Sequence, residues 1–400
     1  MNQLMRKLSI LAIIALAPQL SHAIPFTFDA RSLGMGGVSV STADLATAAW
    51  ANPAMLTNQG RDDDFSLLIG VGAMIRDNDD LISDIDNFQD ADDRRVAASN
   101  SGDLPAEAQA VLDMQSIVRN VESKVIAPEV SGLAAMGIAF DSFAMAISIR
   151  TDLIGGGTVT DLSCDPTSPG CDPVELVSDQ FNILNVEGVQ ATEFGVSFAK
   201  DFQLFDRKFS FGVKPKIIDL KAFTFSESIL TASAGLENAT DKENKLDLGT
   251  FSTIDLGMAV DLTDSVRLGL NLRNLITDDF AVGAQTLNFD TEARIGVSYH
   301  NSVVTVAADY DLIENEPLLA NSSFDGLKTQ FLAVGAEFNA LDFMMLRVGA
   351  SKNLASGITG GAKDTALTAG IGFWFGFNLD IAAIYTDNSL GGMLQTGFRF

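Results

Sequence analysis

Residues 365–377, TALTAGIGFWFGF, alternate between two kinds of side chain. Leu367, Ala369, Ile371, Phe373, Phe375 and Phe377 share one parity; Thr368, Gly370, Gly372 and Gly376 share the other. A period of two belongs to a β-strand, whose successive side chains point to opposite faces. Large apolar residues thus cover one face and small or polar ones the other. FSLLIGVGAMI (65–75), STIDLGMAVD (252–261) and SVRLGLNLRN (265–274) read the same way.

Along the whole chain this pattern predicts about fourteen strands. They lie near 64–75, 132–140, 143–150, 189–200, 208–221, 250–261, 265–274, 290–300, 302–311, 326–338, 342–351, 364–376, 378–386 and 393–400. Most have about the 9–11 residues that a tilted strand needs to cross a bilayer. The joins alternate in length. Those near Asp141, 201–207, 262–264, Asn301, 339–341 and Phe377 are tight. Those at 76–131, 151–188, 222–249, 275–289, 312–325, 352–363 and 387–392 are mostly much longer. Short periplasmic turns alternating with long external loops characterise an up-and-down outer-membrane barrel; a soluble sandwich shows no such parity. An even strand number leaves both termini on the periplasmic side. The expected fold is all-β: an antiparallel transmembrane barrel over 63–400, with external loops near 76–131, 151–188 and 222–249.

The N-terminus agrees with export. Arg6 and Lys7 precede an apolar run from Leu8 to Leu20, and Ser21-His22-Ala23 offers small residues for cleavage, so 1–23 reads as a signal peptide. Without Arg6 and Lys7, 24 basic residues face 52 acidic ones, a net charge of −28. Phosphate repels such a chain, which excludes nucleic acid as a partner. Apolar residues make up 47% of the sequence, yet no later run of 18 is wholly apolar. Barrels hide their hydrophobicity in this way, because only alternate residues meet lipid.

The inward parity carries Arg150, Glu193, Lys214, Lys216, Asp255, Arg267, Arg273, Arg294, Asp309, Glu337, Arg347, Asp380 and Arg399. A sandwich core would strand these charges, whereas a lumen pairs or hydrates them. They read first as bracing and second as a transport path. The last strand, MLQTGFRF (393–400), sets Leu394, Thr396, Phe398 and Phe400 on one face. An alternating strand closed by Phe resembles the signal read by the barrel assembly machinery.

Cys164 and Cys171 flank DPTSPG in the second long loop, and a local disulfide is expected in an oxidising compartment. Two thiols without His do not complete a zinc site. Loop 76–131 has 13 acidic and 5 basic residues, and loop 151–188 has 7 acidic and none basic. These read as a solvated surface, or as carboxylates bridged by divalent cations to lipopolysaccharide. DNDD and DIDNFQDADD lack the glycine and glutamate of an EF-hand, so no metal site is expected there. In the same loop Val111, Met114, Val118, Val121 and Val125 form a helical stripe, with Pro105 in the first turn. The expectation is a helix capping the barrel mouth, with a gating lid as the alternative.

No catalytic site emerges. Past the signal the one histidine is His300, at a turn assigned to the periplasmic side, and GITGGAKDT departs from a phosphate loop at Ala362 and Asp364. No cofactor is implied.

A further segment, ARSLGMGGVSVSTADLATAAWANPAML (30–56), precedes the first strand. It is too rich in Gly, Ser and Thr for a helix and too apolar for a linker. The inward wall is rich in glycine: Gly70, Gly72, Gly137, Gly195, Gly212, Gly257, Gly269, Gly296, Gly335, Gly349, Gly370, Gly372 and Gly376. Glycine in a strand marks close approach of another backbone. Residues 24–62 are therefore expected to form a plug inside the barrel. This segment resembles the N-terminal signature of FadL-type outer-membrane proteins and of the barrel proteins called conjugal transfer protein TraF. The likeness to the TraF barrels extends over nearly the whole mature chain, through the Asp-rich first loop and LRVGASKNL (346–354). It implies fourteen strands, an N-terminal plug and passive transport of long-chain fatty acids or other hydrophobic compounds. Gly34, Gly36, Gly37, Asn52, Pro53 and Ala54 match the signature, with Trp50 beside them; Met55 stands where Gly often follows Asn-Pro-Ala. The name also implies a second function, an envelope interaction protein serving conjugation or secretion. The chain lacks the CxxC and α/β pattern of the thioredoxin-like protein of that name. Its partners would be outer-membrane lipid, lipopolysaccharide and a hydrophobic ligand, and it would act as a monomer in a Gram-negative outer membrane.

Overall fold

The computed structural model describes residues 29–400 apart from 59–63, 78–79, 122–123, 164–174, 176, 179, 232–244, 283–284, 316–318, 321–327, 342, 357–364 and 387–388. The expected signal peptide at 1–23 and the Cys164–Cys171 disulfide lie outside the described residues. The described residues form seventeen strands: β1 (Phe65–Asp77), β2 (Val125–Ala139), β3 (Ala144–Thr160), β4 (Ile183–Leu204), β5 (Arg207–Ser228) and β6 (Lys245–Thr263) come first. β7 (Val266–Arg273), β8 (Asp278–Val282), β9 (Gln285–Phe289), β10 (Glu292–His300), β11 (Val304–Asp311) and β12 (Leu319–Ala320) follow. The last are β13 (Phe331–Leu341), β14 (Met344–Asn353), β15 (Thr365–Trp374), β16 (Asn378–Thr386) and β17 (Ser389–Arg399). Fourteen of them close into an antiparallel barrel, and β8, β9 and β12 form a small separate sheet that the periodicity does not predict.

Closure is made by β1 against β17, from Ser66↔Arg399 to Arg76↔Ser389. Beyond that ladder Phe65 and Phe400 exchange both backbone hydrogen bonds, at 2.8 and 3.1 Å, and their rings stack at 4.9 Å. In hydrocarbon an unpaired backbone N–H or C=O costs several kcal/mol, so a spanning sheet has to close. The outer face is apolar as lipid contact requires: Ile69, Val71, Phe194, Val213, Val334, Val348, Ile371 and Leu394 share the outward parity, and all except Ile371 are among the exposed large apolar residues.

The wall is uneven in height. β2–β6 have 15–22 residues, longer than the sequence pattern alone suggests, while β7, β10 and β11 have 8 or 9. On the outer face of the tall side a polar row crosses four strands. Thr151 faces Thr192, Thr192 faces Asp219 and Asp219 faces Thr250. The two threonine hydroxyls lie 3.2 Å apart, and Thr250 Oγ1 donates to Asp219 at 3.3 Å. Below this row Ile149, Phe194 and Ile217 are exposed; beyond it Val159, Leu184, Val186, Phe223 and Phe225 have the same outward parity yet are buried.

Two helices cover them, Leu81–Ser101 and Leu104–Val121. Leu81, Phe88, Ala91, Met114, Val118 and Val121 form one core with those strand residues, and Gln89 Nε2 ties to the Ile229 carbonyl at 2.7 Å. The expected stripe thus exists as far as Val121, whereas Val125 opens β2. The helical pair is not a cap over the mouth. It docks on the continuation of the lipid-facing side, because apolar alternation resumes there past the polar row. The first helix escaped the sequence reading, since its acidic run hides the spacing of Leu81, Phe88 and Ala91.

The lipid face carries a direct test. Val348 is 62% exposed in mid-strand β14, and Val348→Arg should cost about 2–4 kcal/mol at bilayer depth. Urea unfolding in vesicles measures that loss; no loss would mean that this face does not touch hydrocarbon.

Candidate functional site

Residues 29–58 run around the inside of the barrel. Asp29 caps the short helix Ala30–Gly34, accepting from the Ser32 backbone at 2.9 Å and from its hydroxyl at 2.6 Å. Chain reversal follows at Gly36 and Gly37, with φ of +77° and +93°, a region glycine enters at no steric cost. A second short helix, Ala48–Ala51, leads to Asn52, which caps the 3₁₀ turn Pro53–Thr57 by accepting from Ala54 N at 3.0 Å.

The wall glycines explain why a chain fits here. A β-carbon on Gly335 or Gly349 would overlap the Met35–Gly36 backbone, and one on Gly212 or Gly257 would overlap Pro53 and Ala54. At Gly269 it would stand 2.5 Å from the Val40 carbonyl, and at Gly137 2.7 Å from that of Leu45. Other glycines serve side chains. Gly195 makes room for the Lys214 stem, Gly296 for Asp309 and Gly372 for Asp380 and Arg347. Gly376 is not in the wall at all; it turns the β15–β16 join at φ +83° with nothing nearby.

Polar wall side chains grip the backbone of this segment. Gln395 accepts from Ala30 N at 3.0 Å, Thr368 Oγ1 from Gly36 N at 2.8 Å, and Asp309 from Ser39 N and Val40 N at 2.7 and 3.0 Å. Asn271 donates to the Ala51 carbonyl at 2.6 Å, and Lys208 to that of Thr57 at 2.9 Å. Asn52, fully buried, donates to Val40 O at 2.8 Å and Met258 O at 3.2 Å, joining two turns of the segment to β6. Gly34 faces Gly370, and the Gly37 carbonyl accepts from Arg294 at 3.3 Å. Trp50 is buried among Leu68, Leu133, Ala146 and Ala199.

Charges fill two further levels of the lumen. On the long-loop side Glu193 pairs with Lys214 and Lys216, and Lys216 also meets Asp255 at 3.0 Å. Arg273–Glu292, Arg294–Asp311 and Arg150–Asp152 continue this layer. On the short-turn side Arg31, from the inner segment, forks onto Glu337 at 2.9 and 2.8 Å; Glu337 also accepts from Arg347, which holds Asp380 at 2.6 Å. Inward parity identifies most of these groups. Asp152, Glu292 and Asp311 were missed, though Asp152 and Asp311 sit two residues from the inward Arg150 and Asp309. Arg267 pairs with Asp261, and Arg399 lies 4.8 Å over the Trp374 ring.

A cavity of about 490 Å³ lies on the short-turn side, lined by Arg31, Asp44, His300, Glu337, Asp380 and Gln395 among others. Its lining is mixed and charged. Among the described residues no group of three or more metal-ligating side chains occurs. Phe398 and Phe400 are exposed on the outer surface, at the closing strand.

The family model for the F plasmid transfer operon TraF protein matches residues 49–311. No curated protein matches the chain. Among solved structures, the toluene transporter TodX of Pseudomonas putida is similar with a TM-score of 0.55 at 13% identity, covering 94% of this chain and 99% of that one. The toluene transporter TbuX of Ralstonia pickettii gives 0.54 at 14% identity, covering 94% and 99%. A FadL homologue of Pseudomonas aeruginosa gives 0.54 at 12% identity, covering 95% and 99%. At such identities the likeness is one of fold.

The glycine contacts make a prediction. Gly335→Val places methyls on the Met35 carbonyl, and overpacking of about 1–3 kcal/mol should free the segment in roughly tenfold more molecules or beyond. Limited proteolysis within 29–47 should quicken accordingly while heat-modifiable gel mobility stays that of a folded barrel.

Proposed function

Because this chain belongs to the TraF family and folds as a closed fourteen-stranded barrel, we propose that it is an outer-membrane channel for the passive entry of hydrophobic small molecules. The observation that carries this reading is residues 29–58 threaded through a lipid-facing barrel, in which they act as a plug. A filled lumen denies water a continuous bore, so selectivity would rest on what can displace or skirt the segment. Long-chain fatty acids and monoaromatic hydrocarbons are the candidate cargo, the latter from the similar toluene transporters. The six short turns would face the periplasm, with both chain ends, and the helical pair would face outward near lipopolysaccharide. The protein would act as a monomer, without catalysis, inserted by the barrel assembly machinery through its closing strand.

The family description favours a second reading, an envelope protein serving plasmid transfer without moving solute. Two measurements separate them. Purified barrel in liposomes should take up radiolabelled oleate or toluene faster than empty vesicles, and equal rates would remove the transport reading. Deletion of the gene should leave conjugation frequency unchanged; a large drop would favour the second reading.

A further inference from the structure

The inner segment is held to the wall both by apolar packing and by polar side chains. Residues 48–57 lie on apolar ground, where Trp50, Met55 and Leu56 pack against Leu133, Ala135, Ala146, Ala199 and Ala259. Residues 29–47 run from β17 round to β10 and β7 and reach Gly137 of β2 at Leu45. Ala30, Leu33, Ala43 and Leu45 share that apolar core, and Met35 and Val38 cluster with Ala307 and Ala333. The backbone is also gripped by polar side chains, Gln395, Thr368, Asp309, Arg294 and Ser298. This arm contains one cation, Arg31. Its Nε and Nη2 fork onto Glu337 and its Nη1 donates to the Thr42 carbonyl at 2.6 Å, so a single guanidinium ties both ends of the arm to β13.

That fork joins the arm to the wall by an ion pair that water reaches. The Arg31 and Glu337 side chains are 19% and 10% exposed and both line the cavity, whereas those of Arg294 and Asp311 are 2% and 0% exposed. Separating charges costs least where water can solvate both partners. Arg347 would also remain beside Glu337 after Arg31 left, so the wall keeps a counter-ion. The latch can therefore open without stranding a dry charge.

We propose that residues 29–47 form an arm latched by Arg31 and Glu337, and that its release gives the barrel a second activity: passage of small hydrophilic solutes. The seats it vacates present Gln395, Thr368, Asp309, Arg294 and Ser298 between small apolar residues, and they continue the mixed, charged cavity. The dry charge layer on the long-loop side is carried by β3–β7, β10 and β11, so its pairs do not extend along β13–β17, where the arm begins. A path so lined suits hydrated ions and small sugars. It does not depend on the hydrophobic-transport reading.

Planar-bilayer conductance in potassium chloride, together with liposome swelling in small sugars, tests this with the full barrel. The parent should be nearly closed, and Arg31→Ala and Glu337→Gln should each raise conductance at least about tenfold; Lys352→Ala, on the outer face, should not. Should Glu337→Gln fail to assemble, Arg31→Ala decides, because it leaves the wall intact. Folded Arg31→Ala barrels conducting within about twofold of the parent would overturn the proposal. Equal opening by Lys352→Ala would overturn it too, as general loosening. Oleate or toluene uptake in the parent and in Arg31→Ala reports separately on the hydrophobic route.

Discussion

Hydrocarbon cannot hydrogen-bond, and the rest of this structure depends on that constraint. Every backbone group that enters the bilayer needs a partner in the protein, so the sheet has no permissible edge. The last strand returns to the first, and the Phe65–Phe400 bonds extend the seam beyond the regular ladder. Once closed, the sheet has only two destinations for its side chains. The apolar parity meets lipid and everything else is turned inward.

A barrel of fourteen strands encloses more space than its own small inward residues can fill. The inner segment takes up part of that volume, and the fit is made by removal of side chains on the wall. Gly335, Gly349, Gly212 and Gly257 give the backbone direct contact at the strand surface. Wall carboxylates and amides then satisfy N–H groups that would otherwise be buried unpaired. The charged layers follow the same logic. Arg150, Lys214, Lys216, Arg273 and Arg294 each have a carboxylate within reach, so the layer ties neighbouring strands together.

The outer face shows that one alternation can serve two solvents. On β3–β5 the outward parity passes from lipid-facing Ile149, Phe194 and Ile217 through a row of threonines and an aspartate to Val159, Val186 and Phe223. The last group is covered by the helical pair. Apolar side chains above the membrane need a protein cover, and the loop after β1 supplies it. Extra strand length and the helices are thus one feature, each burying the other.

The number of barrel strands, their inward and outward faces and the alternation of short and long joins are legible in the sequence, whereas the small sheet of β8, β9 and β12 is not. A period of two is local, and lipid on one side makes the contrast between faces strong. The same parity pointed to Glu193, Lys214, Lys216, Glu337 and Arg347 as lumen residues, and the glycine surplus pointed to a backbone partner inside. Tertiary structure alone decided which glycine meets which carbonyl, that Gly195 and Gly372 serve side chains, and that Arg31 reaches Glu337 across 306 positions. It also decided that the helices lie on the outer wall, since parity names a face and says nothing of what comes to cover it. Pairings between distant strands and a threaded segment depend on the register and curvature of the closed sheet, which no local window of sequence contains.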